Sequence, residues 1–316
     1  CTDATTDANV WTNVGSGDGD VPVSNVTRGS IAGYTAGGEN TVAGGHSNVI
    51  DKFSYVSDGN ATDVGDLTIA GTSGSCNSGS YGYSNKFDAV PQNGIMSKYA
   101  FASDGNAVSA GTSFKTHQNG CIGHMSPTHG YWAGGYPSPY YTHISKFSFA
   151  DETDKSSPGT LNANHGGGAC GSSHFDYGAF QWGNYPNHQN ISKFSFASDG
   201  NGTDHSDLTQ SQRDCTGSNG ETHAYSVMGY TGNYLTTIDK FPYASQTNAV
   251  NVADMGFSTQ LCSGTASTTH GYTAGGLRSG KHNVITKYSQ VSDGNGVDVG
   301  DLTEARSHFG GCGATH

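Results

Sequence analysis

The sequence predicts an all-β fold, a six-bladed β-propeller of four-stranded blades, on three observations. A lysine followed by an aromatic recurs at Lys52, Lys98, Lys146, Lys193, Lys240 and Lys287, in steps of 46, 48, 47, 47 and 47 residues. Periods of about 40 to 50 residues with strand-like content belong to propeller blades, and the 3.6-residue patterning that a helical repeat of that length needs is absent. The composition agrees: 48 of 316 residues are glycine, hydrophobic residues make up 33% and charged residues 13%, so helix formers are scarce and turn and strand formers abundant. The third observation is that the ends complement each other. The chain stops at "CGATH" (312–316) and the text resumes at "GYTAGG" (33–38), which together rebuild the "TTHGYTAGG" of 268–276.

Each period carries the same elements in the same order. A strand of the type "HGYTAGG" comes first, at 270–276, 129–135 ("HGYWAGG") and 33–38. After a loop of varying length follows "x-Ile-x-Lys-aromatic-x-aromatic", as in Ile191, Lys193, Phe194 and Phe196. The turn "SDGN" closes that strand, since Asp-Gly and Asn tolerate the left-handed backbone a tight hairpin requires. A third stretch such as "ATDVGDLT" (61–68) is next, and a Gly/Ser-rich segment with one cysteine leads to the following period. Four strands per period fit this spacing. The complementary ends then place residues 304–316 as the innermost strand of the blade built from 33–38, 48–55 and 61–68, closing the ring and leaving no open sheet edge. Residues 33–316 form the propeller on this reading. Residues 1–32 lie outside the register as an N-terminal arm or cap, with Val10 and Trp11 its docking residues.

The diglycines at Gly37–Gly38, Gly134–Gly135 and Gly275–Gly276, and a "DLT-x-x-x-R" lead into the innermost strand (Asp207 to Arg213; Asp301 to Arg306, one residue shorter), resemble kelch repeats. Kelch repeats are the blade unit of galactose-oxidase-like propellers. The resemblance spans residues 33–316, lacks the usual outer-strand tryptophan, and implies the same fold. The wording "KFSFASDGN" also resembles repeat proteins of marine phages and aquatic bacteria.

Charge and hydropathy narrow the partners. A formal charge of −12, from 14 Lys+Arg against 26 Asp+Glu, excludes a nucleic-acid partner held by phosphate contacts. No apolar run of about 18 residues exists to span a membrane. The start at Cys1 reads as a processed, mature form, and Cys1 is open to lipidation or to pairing.

Six cysteines fall one per repeat near the innermost strand: Cys76, Cys121, Cys170, Cys215, Cys262 and Cys312. Counted from the preceding turn they occupy two registers, which favours three inter-blade disulfides, Cys76–Cys121, Cys170–Cys215 and Cys262–Cys312, and with them an extracellular, oxidising setting. Buried thiols at a crowded axis are the alternative. His129, His174, His223, His270 and His316 follow these cysteines, and read as strand caps rather than ligands of a soft metal. "SDGNATDVGD", with Asp58, Asn60, Asp63 and Asp66, reads as a turn rather than a calcium loop. No cofactor is expected. The lysine stems are expected to pack between blades with their ammoniums on acids such as Asp63, Asp66, Asp204 or Asp301, and aromatics two apart, such as Phe147/Phe149 and Phe241/Tyr243, to form inter-blade core.

What breaks the repeat is left for function. The segments 39–48, 87–94, 136–141, 181–190, 231–235 and 277–283 all join the same two strands and so share a face. Trp182, Tyr136, Tyr140, Tyr141, Tyr185 and Tyr234 give that face exposed aromatics suited to stacking on a glycan or gripping a surface protein. The expectation is a non-catalytic recognition or structural module, extracellular, on a cell surface or on a virion. A metal-dependent oxidase or glycan-active enzyme is one alternative, and a self-assembling subunit linked through residues 1–32 the other.

Overall fold

A computed structural model of the chain describes residues 28–41, 45–71, 74–87, 94–112, 120–135, 142–152, 155–166, 168–184, 186–308 and 310–314, and the backbone of 3–5 and 8–10. It contains six four-stranded antiparallel sheets and, among the described residues, no α-helix. From the axis outward, blade 1 is Gly310–Ala314, Ala32–Ala36, Val49–Ser54 and Thr62–Asp66. Blade 2 is Gly74–Asn77, Tyr81–Phe87, Gly94–Ala100 and Val108–Thr112; blade 3 is Ile122–Met125, His129–Ala133, His143–Ser148 and Lys155–Thr160. Blade 4 is Cys170–His174, Gly178–Trp182, His188–Phe194 and Thr203–Gln212. Blade 5 is Thr216–Asn219, His223–Tyr230, Tyr234–Pro242 and Val250–Asp254; blade 6 is Ser263–Ala266, His270–Leu277, Lys281–Ser289 and Val297–Asp301. Asp3–Thr5 and Ala8–Val10 pair separately.

The innermost strands contact one another in a closed circuit, each touching two neighbours, with Gly310–Ala314 set between Ser263–Ala266 and Gly74–Asn77. Glycine makes this approach possible. A Cβ on Gly217 would fall 2.2 Å from the carbonyl oxygen of Gly171, and one on Gly264 2.2 Å from that of Gly217. Ring closure follows the sequence expectation: Cys312 lies opposite Tyr34 and Tyr34 opposite Lys52, so the C-terminus supplies the inner strand of blade 1. Arg306 locks that joint. Its side chain is wholly buried, its Nη2 is 2.8 Å from Asp51 Oδ2, and it donates to Thr35 Oγ1 and to the carbonyls of Thr35, Gly37 and Val49. Arg213, read from the sequence as its counterpart, lies elsewhere. Thr209 and Thr303 are the matching positions, each donating through its amide and hydroxyl to a buried third-strand aspartate of the next blade, Asp239 and Asp51. Counted from them, Arg306 matches Gln212.

The core lies between blades. The second-strand aromatics Tyr34, Tyr83, Tyr131, Phe180, Tyr225 and Tyr272 pack on third-strand aromatics of the next blade, including Phe147/Phe149 and Phe241/Tyr243, with centroids 4.7 to 6.0 Å apart. Cross-strand partners share a face, so Lys52, opposite Tyr34, also points to the next blade. This corrects the expected lysine partners. Lys52 pairs with Asp104 at 2.9 Å, Lys146 with Asp199 at 3.1 Å, Lys240 with Asp293 at 2.9 Å, Lys287 with Asp58 at 2.6 Å, and Lys98 with Glu152, each acid lying in the third-to-fourth-strand turn of the following blade. Asp63, Asp66, Asp204 and Asp301 sit on their own blade's outer strand. The turn asparagines do a related job: Asn60, Asn106, Asn201, Asn248 and Asn295 each accept, at 3.0 to 3.1 Å, the backbone amide of Asp301, Asp66, Thr160, Asp207 and Asp254 on the preceding blade. "SDGN" recurs because it bolts blade to blade as well as reversing the chain.

Candidate functional site

Antiparallel blades put first-to-second and third-to-fourth turns at one end of the axis, here the turn face. The second-to-third loops and the connections between blades share the other end, the loop face. Around the axis mouth on the loop face, Asp214, Leu261 and His308 adopt left-handed φ of 55°, 59° and 56° just before three successive inner strands. Non-glycine residues rarely occupy that region, and such outliers gather at functional sites. A chain of backbone bonds holds them: the Asp214 amide donates to Gly168 O at 2.6 Å, Leu261 to Asp214 O at 2.8 Å, and His308 to Leu261 O at 2.9 Å. Identical backbone positions thus carry three different side chains, so the mouth is chemically asymmetric although the ring is not.

Charged groups from different blades converge there. Arg213 Nε lies 3.2 Å from Asp214 Oδ2. Glu39 Oε2 lies 3.7 Å from His308 Nδ1 and 3.2 Å from Lys281 Nζ, and Lys281 also donates to Asn40 O at 2.7 Å. Glu39–Asn40 is positioned by a short antiparallel ladder with Arg306–Ser307. Burial pushes the Asp214 carboxyl up from its ordinary pKa, partly opposed by Arg213, while the His308 imidazole, 42% exposed, is moved down by desolvation on its protein-facing side, partly opposed by Glu39.

Beside this mouth runs an alternating ladder of cations and rings. The Arg213 guanidinium sits 5.0 Å over Tyr230, Tyr230 meets Tyr234 edge-on at 5.3 Å, and Arg278 lies 5.9 Å over Tyr234. Tyr234 is 36% exposed. The chain reverses through Thr231–Asn233, where the Thr231 amide donates to Asn233 O at 3.1 Å, so both tyrosines face one way across the hairpin in the register Tyr230↔Tyr234.

Of the six aromatics expected to be exposed on the loop face, Tyr234 is exposed there and Trp182 is not. Trp182 is wholly buried, opposite Cys170 at the end of its strand, with its indole N–H donating to Ser226 Oγ at 2.8 Å and its ring edge-on to Phe241. Being the last residue of the strand rather than the first of the loop turns it into the blade 4–blade 5 interface. Tyr136, Tyr140, Tyr141 and Tyr185 lie outside the described residues. Sequence reasoning missed Arg213, Asp214, Tyr230 and His308. Their signal was there in the failure of each to match its counterparts in the other blades.

The cysteine pairing needs correction. Cys170 and Cys215 form a disulfide with Cα atoms 5.9 Å apart. Cys76–Cys121 and Cys262–Cys312 do not form: Cys121 and Cys262 are buried thiols, both pushed up to about 12 by desolvation. Strand register explains the difference. Cys76 and Cys312 lie opposite the second-strand tyrosines Tyr83 and Tyr34, whereas Cys121, Cys215 and Cys262 precede the matching positions by three residues and Cys170 by two. Three residues of strand are about 10 Å, beyond disulfide reach, while a one-residue offset is not. The turn was the wrong ruler because the connection after it varies in length.

The repeated histidines stay dispersed. His129, His223 and His270 each hydrogen-bond through Nδ1 to the preceding threonine, Thr128, Thr222 and Thr269, at 2.7 to 2.8 Å, and His174 packs between Tyr177 and Tyr243. His316 lies outside the described residues. Asp58 and Asn60 are engaged with Lys287 and the Asp301 amide, and Asp63 accepts the Gly65 amide. Among the described residues no three His, Cys, Asp or Glu side chains converge on a shared metal position, and no helix is long and apolar enough to cross a membrane.

No protein-family model and no curated protein matches the sequence. Among solved structures the chain is similar to that of YjhT, with a TM-score of 0.60 and 9% identity over 76% of this chain and 86% of that one. At that identity the likeness is one of fold, and it supports a propeller.

Proposed function

We propose that the protein is a non-catalytic recognition module that binds a glycan through the loop face, beside the axis mouth, in an extracellular setting. The observation that carries this reading is the Arg213–Tyr230–Tyr234–Arg278 ladder, with a half-exposed ring flanked by a cation. A tyrosine face offers a sugar's C–H surface a stacking platform, and fixed guanidinium donors reach its hydroxyls or carboxylate. The Cys170–Cys215 disulfide accords with an oxidising compartment. The N-terminal segment is read as an arm that ends where Ala32 enters blade 1, in accord with Gly29 donating to Ala266 O and Arg28 to Thr268 O on the turn face, away from the binding loops. The kelch relationship remains one of sequence resemblance.

A glycan array probed with the whole chain, followed by calorimetry on the best hit, tests this. Tyr234→Ala is expected to weaken binding about tenfold, in line with an aromatic anchor at a recognition surface, and Tyr234→Phe to keep most of it. Unchanged affinity in Tyr234→Ala, or capture of a protein ligand in place of any glycan, rejects the glycan reading. Asp214 and His308 at the axis mouth favour a glycan-active enzyme as the second reading, because a carboxyl and an imidazole set around one opening are groups that proton transfer uses. Turnover of the bound glycan that is lost in Asp214→Asn with binding retained selects that reading.

A further inference from the structure

Five of the six repeat lysines meet a carboxylate of the following blade, and Lys193 is the sixth. The residue at the acid's place in blade 5 falls in "ASQTN" (244–248), where Gln246 turns its amide away to donate to Asp204 O at 3.0 Å. In blades 1, 2 and 5 the second-strand tyrosine hydroxyl also donates to that acid: Tyr34 to Asp104, Tyr83 to Glu152 and Tyr225 to Asp293. Blade 4 has Phe180 there, so the hydroxyl and the carboxylate are lost together while the lysine remains.

The Lys193 ammonium is left between two rings, 5.3 Å from the Phe180 centroid and 5.7 Å from that of Tyr177. Among the described residues no carboxylate lies within ion-pair distance of it, and desolvation lowers its pKa with nothing opposing. Asp176, exposed beside Tyr177, acts on His174 and forms no ion pair with Lys193, and the other nearby titratable groups make contacts of their own. His205 donates from Nε2 to Pro242 O, His174 sits against Tyr177 and Tyr243, and Asp204 holds Asn190. Tyr177, in the neighbouring first-to-second turn, is 37% exposed, so the position opens to the turn face.

The geometry points to Lys193 as a binding site for an external carboxylate, seated where the sister blades place their own acid and flanked by the Tyr177 ring. The five internal copies define the ligand chemistry. An oxygen anion about 3 Å from Nζ supplies the counter-charge that the five sister lysines already have, and the Tyr177 face accommodates the carbon skeleton behind it. This site lies on the turn face, opposite the proposed glycan surface, and does not depend on it.

The test is a titration of lysine-13C,15N-labelled protein with sodium acetate, against sodium chloride at equal ionic strength, following the lysine side-chain resonances. Lys193→Met assigns the signal. The expected result is a saturable shift of the Lys193 resonance with acetate, a rise in its titration midpoint, and no movement of the five paired lysines. Gln246→Asp, which installs the acid the other blades carry and so should fold, abolishes the response. If the Lys193 signal instead shifts on concentrating the protein and acetate reverses the shift, the carboxylate is supplied by a second copy of the chain. A Lys193 resonance that responds to neither acetate nor protein concentration, or that responds equally in Gln246→Asp, overturns the proposal.

Discussion

Replacing Arg306 with methionine isolates what holds the ring shut. The substitution keeps most of the side-chain volume but deletes the guanidinium that bridges blade 6 to Thr35, Gly37, Val49 and Asp51. Asp51, itself wholly buried, would keep the Thr303 amide and hydroxyl but lose its counter-charge. Stranding one member of a buried pair costs about 3 to 5 kcal/mol. The Val49 carbonyl still receives the Gly37 amide at 3.0 Å, so its loss is partial and the middle of that range, about 4 kcal/mol, is expected. Equilibrium denaturation by urea measures it. Hydrogen exchange locates it, with amides of 32–36 and 310–314 losing protection before those of blade 4. Arg306→Met combined with Asp51→Leu removes both charges and is expected to recover most of the loss, since apolar replacement of a whole buried pair is often neutral. A single variant that loses less than about 1 kcal/mol, or a double variant no better than the single, refutes the role assigned to this pair.

Reducing the Cys170–Cys215 disulfide opens a loop of 45 residues and should cost up to about 4 kcal/mol by the chain-entropy relation, with Cys121 and Cys262 alkylating only after denaturation; reduction without any shift in the denaturation midpoint contradicts this. His124, between Ser173 and Gln181, and His165, between Gly183 O and Ser192, are buried and pushed down to about 4 by desolvation. Their folded pKa is below the unfolded value of about 6.5, so the stability they contribute is present above pH 6.5 and lost as pH falls towards 4. Each shift corresponds to about 3 kcal/mol at its limit, and a denaturation series flat across that window counts against burial of the two rings.

Much of the architecture was legible in the chain. The spacing of Lys52 to Lys287 gives the blade number, the alternation in "KFSFA" gives a strand with its aromatics on one face in the inter-blade core, "SDGN" gives its turn, and the matching ends give the closure. Those signals are local, arising from side-chain alternation and turn stereochemistry within a few residues. Which residues meet across blades is not local. The lysine partners, the single disulfide and the burial of Trp182 each depend on strand register, and a shift of one to three residues, invisible when counting from a turn across a variable connection, moves a side chain by several ångströms or to the other face. The candidate site was legible only in part. Tyr234 stood out as a loop aromatic, but Arg213 meets Tyr230 through a bridge within blade 5, and His308 joins Asp214 at the mouth because the inner strands of different blades begin together around one axis. Sequence alone determined the repeating unit and its number. The tertiary structure decided which departures from the repeat share a place, because ring closure brings together positions as far apart in the chain as Glu39 and His308.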